Sequence, residues 1–156
     1  MATTTTSHKR ELALTRIIDA PREMVFNAWT NSKQLAQWWG PHDFTNPVCE
    51  IDLRVGGKMH IVMRAPDGAE YPMPATVREI VAPEKFSFSS LALDTDGKQQ
   101  LEGFTAVTLA EEQGKTRTTV QSSAEGTGPI AQQMIGGMDA GWAQSLERLE
   151  ALIKKN

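Results

Sequence analysis

The C-terminal stretch of the chain has the clearest hydrophobic pattern. Its apolar residues recur every three or four positions and so fall on one face of a helix; they are Ile130, Met134, Met138, Trp142, Leu146, Leu149 and Ile153. Proline is tolerated at the first helical position, so the pattern predicts one long helix from Pro129 to Lys155. Gly136, Gly137 and Gly141 interrupt this helix. They indicate a kink, close packing of the backbone on a neighbouring element, or space left beside the helix for a ligand.

Most of the remaining chain alternates between apolar and polar residues, which predicts β-strands. The predicted strands cover residues 9–18, 44–53, 58–64, 71–81, 85–93, 101–110 and 116–124. Turn sequences such as Pro66-Asp67-Gly68 separate them. After the first strand, apolar residues at helical spacing predict two short helices; these residues are Met24, Val25, Phe26, Trp29, Leu35, Trp38 and Trp39.

This order of elements predicts an α+β fold. Successive strands joined by tight turns form an antiparallel sheet with one apolar face to cover. We therefore expect a curved antiparallel sheet wrapped around the long C-terminal helix, with the two short helices closing one end. The Thr- and Ser-rich residues 1–8 are expected to be a disordered tail. Residues 9–156 are expected to form a single domain.

Composition narrows the class of protein. The net charge is −3, with acidic and basic residues interspersed, so no basic stripe indicates binding to nucleic acid or to a membrane surface. The single cysteine, Cys49, excludes an internal disulfide and fits a reducing compartment. No apolar run is long enough to span a bilayer. These features predict a cytoplasmic protein and leave its oligomeric state open.

Residues with catalytic potential are few and scattered. The sequence has no nucleophile elbow, phosphate loop or dinucleotide fingerprint, and its three histidines are not spaced as zinc ligands. His42 is either a solvated loop residue or an acid–base group at a cavity mouth. Glu79 is either a structural carboxylate paired with an arginine or a group that orients a ligand. We therefore predict no catalytic residue, no metal site and no cofactor.

Methionine and tryptophan side chains are the more informative set. The alternation and helical spacing place these side chains on the faces that point to the protein interior, where they form either a solid core or the wall of an irregular apolar pocket. Flexible methionines are well suited to such a pocket. We predict a pocket between the sheet and the C-terminal helix, where Ala75, Gly137 and Gly141 are small. Its predicted lining residues are Trp38, Trp39, Met59, Met63, Met73, Phe88, Met134, Met138 and Trp142.

An ordered set of short motifs resembles a known family. The motifs are Ala20-Pro21-Arg22-Glu23 with Val25-Phe26 and Ala28-Trp29-Thr30, the run 35–41, Asp52-Leu53-Arg54 with Gly56-Gly57, Pro66-Asp67-Gly68, the run 77–80, Pro83-Glu84-Lys85 and Gly141-Trp142. Together they resemble the START-like (SRPBCC) superfamily with its helix-grip fold, and within it the homologues of the C-terminal domain of the heat-shock-protein-90 ATPase activator. The chain departs from this pattern where the family often has proline, glycine and tryptophan, at Val55, Ala75 and Ser90 respectively.

The resemblance implies a cavity between sheet and helix, and it leaves three functions open. The first is the binding of a small hydrophobic or aromatic molecule. The second is an interaction module that contacts a chaperone, although the activator's chaperone contacts involve a separate N-terminal domain. The third is a cyclase- or hydrolase-type enzyme that uses His42, Glu79 or Tyr71 as acid or base.

Overall fold

The computed structural model describes residues 8–126 and 128–155. Within them lie seven strands: β1 (His8–Ile18), β2 (Thr45–Ile51), β3 (Lys58–Arg64), β4 (Glu70–Val81), β5 (Lys85–Leu93), β6 (Gln99–Glu112) and β7 (Lys115–Gly126). Four helices accompany them: α1 (Arg22–Thr30), α2 (Ser32–Trp38), α3 (Ala131–Gly136) and α4 (Met138–Lys154). The predicted disordered tail lies outside the described residues, except for His8, where β1 begins.

The strands form one antiparallel sheet in the order β1-β7-β6-β5-β4-β3-β2. Strands β2 to β7 are sequential neighbours, and β1 pairs with β7 at one edge. The sheet is curved and its inner face packs on α4, which confirms the predicted α+β helix-grip architecture. No helix among the described residues is long and apolar enough to cross a membrane.

The predicted single C-terminal helix is in fact two helices. Helix α3 ends at Gly136 and α4 begins at Met138, and Gly137 between them has φ −93° and ψ −1°, away from the regular α-helical values. Two adjacent glycines weaken a helix at that point, because glycine loses the most backbone entropy on becoming helical. Of the two helices, α3 contacts β1 and β7, whereas α4 contacts β1, α1 and α2.

The two short helices close one end of the sheet beside α4. Asn31 separates them, and its side chain accepts a hydrogen bond from the Gln34 backbone N–H at 3.1 Å, which caps α2. The Trp38 indole N–H donates to the Ala28 carbonyl at 2.9 Å and fixes α2 against α1. The hydrophobic core therefore lies at this end, between α1, α2, the C-terminal half of α4 and the sheet.

Candidate functional site

A cavity of about 190 Å³ lies between the inner face of the sheet and the α3–α4 segment. Its large apolar lining residues are Trp39, Pro41, Met63, Met73, Phe88, Leu101, Met134, Met138 and Trp142. Small residues make up a second group: Gly40, Ala92, Gly103, Ala124 and Gly141. The remaining lining residues are the serines and threonine Ser90, Thr105, Ser122, Ser123 and Ser145. Larger depressions of about 430 Å³ lie on the outer face of the sheet, where the strand residues are exposed to solvent.

The cavity exists because small residues face α3 and α4 across three neighbouring strands. Strand register places Ser90 of β5 opposite Gly103 of β6, and Gly103 opposite Ala124 of β7. These three residues form a row across the strands, and none of them has a bulky side chain that would fill the space under the helices. Gly103 is also required for close approach, because a Cβ there would lie 2.8 Å from the Ser123 carbonyl oxygen. The next row, deeper in the sheet, carries Phe88, Thr105 and Ser122 and forms the buried end of the cavity.

An aromatic wall separates the cavity from the core. All four tryptophans of the chain meet at this boundary, two on the cavity side and two on the core side. Trp39 and Trp142 face the cavity and meet edge to face, with ring centroids 5.3 Å apart. Behind them Trp29 stacks on Trp142 at 6.0 Å and meets Trp38 edge to face at 4.7 Å. The wall is rigid, since these contacts brace each ring against others.

Polar groups of α4 hold the loop that forms one side of the cavity. The Arg148 guanidinium donates hydrogen bonds of 3.0 Å to the carbonyl oxygens of Trp39, Gly40 and Pro41. These carbonyls follow α2 and have no helical partner, so Arg148 acts as a C-terminal cap supplied by another helix. The Ser145 hydroxyl accepts from the Gly40 backbone N–H at 3.1 Å. Burial lowers the pKa of Arg148 from its ordinary value, while Asp43 opposes that shift.

Met134 of α3 and Met138 of α4 form the roof, on either side of the helix break. Next to Met138, Asp139 accepts a hydrogen bond of 2.9 Å from Arg10 of β1. This hydrogen bond lowers the pKa of the Asp139 carboxyl. The pair ties the start of α4 to the edge strand, and an acidic residue also suits the first turn of a helix.

The cavity has an uncharged wall with a hydroxyl pair at its buried end. No ionisable side chain is present among the described residues that line it. The Thr105 and Ser122 side-chain oxygens are 2.8 Å apart, and both residues are almost completely buried. Such a site favours a neutral guest, because an unpaired charge is disfavoured where it is buried against an apolar wall.

The structure brings seven of the nine predicted lining residues together around the cavity: Trp39, Met63, Met73, Phe88, Met134, Met138 and Trp142. Trp38 and Met59 are not among its lining residues; they are 0% and 2% exposed and belong to the core. Ala75 is also buried away from the cavity. Trp142 is half-buried, because its ring lines the open space.

The residues considered for acid–base chemistry lie outside the cavity. His42 is half-exposed, and its ring nitrogen Nε2 is 3.1 Å from Glu147 on the surface. Glu79 is exposed and pairs with Lys85 at 2.9 Å, so it neither pairs with an arginine nor faces the cavity, the two alternatives considered for it. Tyr71 is not a lining residue. Across residues 8–126 and 128–155 no group of histidine, cysteine and carboxylate side chains is placed to hold a metal ion.

Cys49 packs at the side of the core on β2, opposite Ile61 of β3. Burial, with a smaller contribution from Glu50, raises the pKa of its thiol to about 11. A thiol with so high a pKa is protonated at neutral pH and is a poor nucleophile. This environment fits a structural role for Cys49.

Sequence reasoning missed the contribution of β5, β6 and β7 to the cavity. Of the residues on these three strands, only Phe88 was predicted to line the cavity. The available signal was composition: at positions where a core strand carries large apolar residues, this chain has Ser90, Gly103, Thr105 and Ser122. Small and hydroxyl residues that recur on one face of adjacent strands indicate a space above the sheet.

Comparison with known proteins places the fold in a family. The family model described as "Activator of Hsp90 ATPase homolog 1-like protein" matches residues 19–154. No curated protein matches the chain.

Solved structures from several bacteria have similar folds. An AHSA1 protein of Silicibacter pomeroyi is 24% identical with a TM-score of 0.76, the match covering 93% of this chain and 98% of that one. A protein of Arthrobacter aurescens is 23% identical with a TM-score of 0.79, covering 99% and 94%. A protein of Chromobacterium violaceum is 26% identical with a TM-score of 0.74, covering 91% and 95%.

The family match spans most of the chain, and it agrees with the sheet, the C-terminal helices and the resemblance seen in the sequence. The chain therefore belongs to the family of activator of Hsp90 ATPase homolog 1-like proteins, within the START-like superfamily.

Proposed function

We propose that this protein binds a small, neutral, largely apolar molecule in the cavity between the sheet and the α3–α4 segment. The observation that carries the proposal is the row of small residues Ser90, Gly103 and Ala124, which leaves space under a roof of flexible methionines. A chain selected only for stability would gain from filling this space, since packing defects weaken a core. An apolar wall with few polar groups is the usual character of a small-molecule site.

The volume of the cavity sets the size of the guest. At about 190 Å³ it is slightly larger than an engineered apolar cavity of ~150 Å³ that binds benzene in another protein. It is smaller than the ~300–1,000 Å³ typical of sites for drug-sized ligands. A molecule with a single aromatic ring and a short substituent fits this range, whereas a sterol or a long-chain lipid does not.

The two other functions have less support from the geometry. A chaperone-contacting role rests on the family's description. An enzymatic role needs a reactive group in the cavity, and His42, Glu79 and Tyr71 lie outside it. Binding is the function that the lining residues support directly.

Tryptophan fluorescence tests the proposal, because Trp39 and Trp142 line the cavity. Ethylbenzene, a single-ring apolar probe, is expected to change the emission in a saturable manner below its aqueous solubility. Ser90→Phe places a ring in the cavity and should abolish this change without unfolding the protein. Thr108→Phe is the matched control, since Thr108 is exposed on the outer face of β6, and it should bind like the parent.

Two outcomes would contradict the proposal. One is the absence of saturable binding by the parent protein up to the solubility limit of the probe. The other is equal binding by the parent and a folded Ser90→Phe variant, which would place the probe elsewhere. If Ser90→Phe is strongly destabilised, the position is tightly packed, because overpacking a solid core costs about 1–3 kcal/mol.

A further inference from the structure

The buried end of the cavity has a hydrogen-bonding group that an apolar guest does not need. Thr105 and Ser122 face each other across β6 and β7, and their hydroxyl oxygens are 2.8 Å apart. They are 4% and 7% exposed. Hydrocarbon side chains of similar size at these positions would give a simpler apolar floor, so the hydroxyls are a feature to be explained.

A count of hydrogens shows what this pair offers. Each hydroxyl has one hydrogen to donate. One of the two hydrogens lies between the two oxygens. The second has no acceptor among the described residues, since neither hydroxyl makes another hydrogen bond there. A buried donor without an acceptor is unfavourable, and an acceptor on a bound molecule would satisfy it.

Charge restricts the kind of acceptor. The described lining residues include no lysine, arginine or histidine that would balance a carboxylate. A carboxylate bound here would lose its hydration and gain only neutral donors, which does not compensate a buried charge. A neutral carbonyl oxygen needs only one or two donors and has no charge to balance.

We propose that the Thr105–Ser122 pair donates a hydrogen bond to a neutral carbonyl oxygen at the buried end of the ligand. The ligand class is then a small aryl ketone, aldehyde or ester, with its ring between Trp39, Trp142 and the methionine roof. This inference rests on the proposed binding function and specifies the chemistry of the guest.

Two probes of nearly equal shape test the inference. Acetophenone and ethylbenzene differ in that a carbonyl replaces a methylene group. The measured quantity is the ratio of their dissociation constants, because a ratio cancels changes in the shape of the cavity. In the double variant Thr105→Val/Ser122→Ala this ratio should shift by about tenfold against acetophenone. Ethylbenzene should bind the double variant at least as well as the parent, which also reports that the cavity is intact.

Single variants and controls sharpen the result. Thr105→Val alone or Ser122→Ala alone leaves one hydroxyl with a free hydrogen, so each should retain most of the preference for acetophenone. Thr108→Val removes a hydroxyl from the outer face of the same strand, β6, and should leave the ratio unchanged. Benzoate, a carboxylate of similar size, should not bind the parent measurably.

The outcomes separate the two proposals. If both probes bind the parent but the double variant shows the same ratio, the hydroxyl pair does not recognise a carbonyl, and the binding function stands without it. The inference is also wrong if benzoate binds as well as acetophenone, or if Thr108→Val shifts the ratio as much as the double variant. If neither probe binds the parent protein, the binding function itself fails.

Discussion

The four tryptophans divide into two pairs with different roles, and substitution by alanine should reveal the difference. Trp38 is 0% exposed and donates its indole N–H to the Ala28 carbonyl. Trp142 lies in the same cluster but has one side of its ring against the cavity. Trp38→Ala and Trp142→Ala therefore remove the same side chain from a solid core and from a cavity wall.

The structure gives a magnitude for each change. Truncating a fully buried tryptophan costs about 3–5 kcal/mol. Trp38→Ala should fall at the upper end, because it also removes the edge-to-face contact with Trp29 at 4.7 Å and leaves a buried carbonyl without its donor. Trp142→Ala should cost about 2–3 kcal/mol: it loses two aromatic contacts of about 0.5–1.5 kcal/mol each and the burial of only part of its ring.

Urea unfolding followed by far-ultraviolet circular dichroism measures both values on the same scale. The two variants should differ in unfolding free energy by about 2 kcal/mol, with Trp38→Ala the less stable. Trp142→Ala should in addition weaken ethylbenzene binding, because it removes part of the cavity wall. Equal losses of stability would mean that Trp142 is packed as tightly as Trp38 and that no cavity lies beside it.

Two further predictions concern the groups around the site. Arg148→Leu should lower the unfolding free energy by about 2 kcal/mol in urea titrations, since hydrogen bonds to charged groups contribute roughly 1.5–3 kcal/mol, whereas Lys154→Leu on the exposed face of α4 should have little effect. An equal loss of unfolding free energy in the two variants would contradict the capping role of Arg148. Because burial raises the pKa of the Cys49 thiol to about 11, its stabilising contribution is complete below pH 9 and is lost as the pH rises through 11. Cys49→Ala should make the decline of stability over this range shallower, and an unchanged decline would contradict the buried environment of the thiol.

The sequence was sufficient to predict the architecture because each strand and helix has a clear period. Strands β3 and β5 have the predicted bounds, and the others differ by one or two residues at their ends. The long C-terminal helix was the main error. Its apolar period continues through the Gly136–Gly137 break, so periodicity alone does not show where one helix ends and the next begins.

The candidate site was predictable only in part. Met63, Met73 and Met134 were identified because their phase places them in the interior. The same argument wrongly included Met59 and Trp38, which are core residues. The hydrophobic period shows which face of a strand or helix a residue lies on, but it does not show whether that part of the face packs against the core or borders a cavity. The residues that border the cavity are set by which residues of β5, β6 and β7 lie opposite one another. These strand pairings cannot be read from the sequence.

The central claim is an accessible cavity under a methionine roof, and methyl NMR of methionine-labelled protein tests it most directly. Four methionines line the cavity: Met63, Met73, Met134 and Met138. Met59, in the core, and Met24, on the surface, serve as internal controls. Titration with acetophenone should shift the four cavity signals together, in a saturable manner, and leave the two controls in place. Unchanged cavity signals at saturating probe, or shifts of the same size at Met24, would contradict the account.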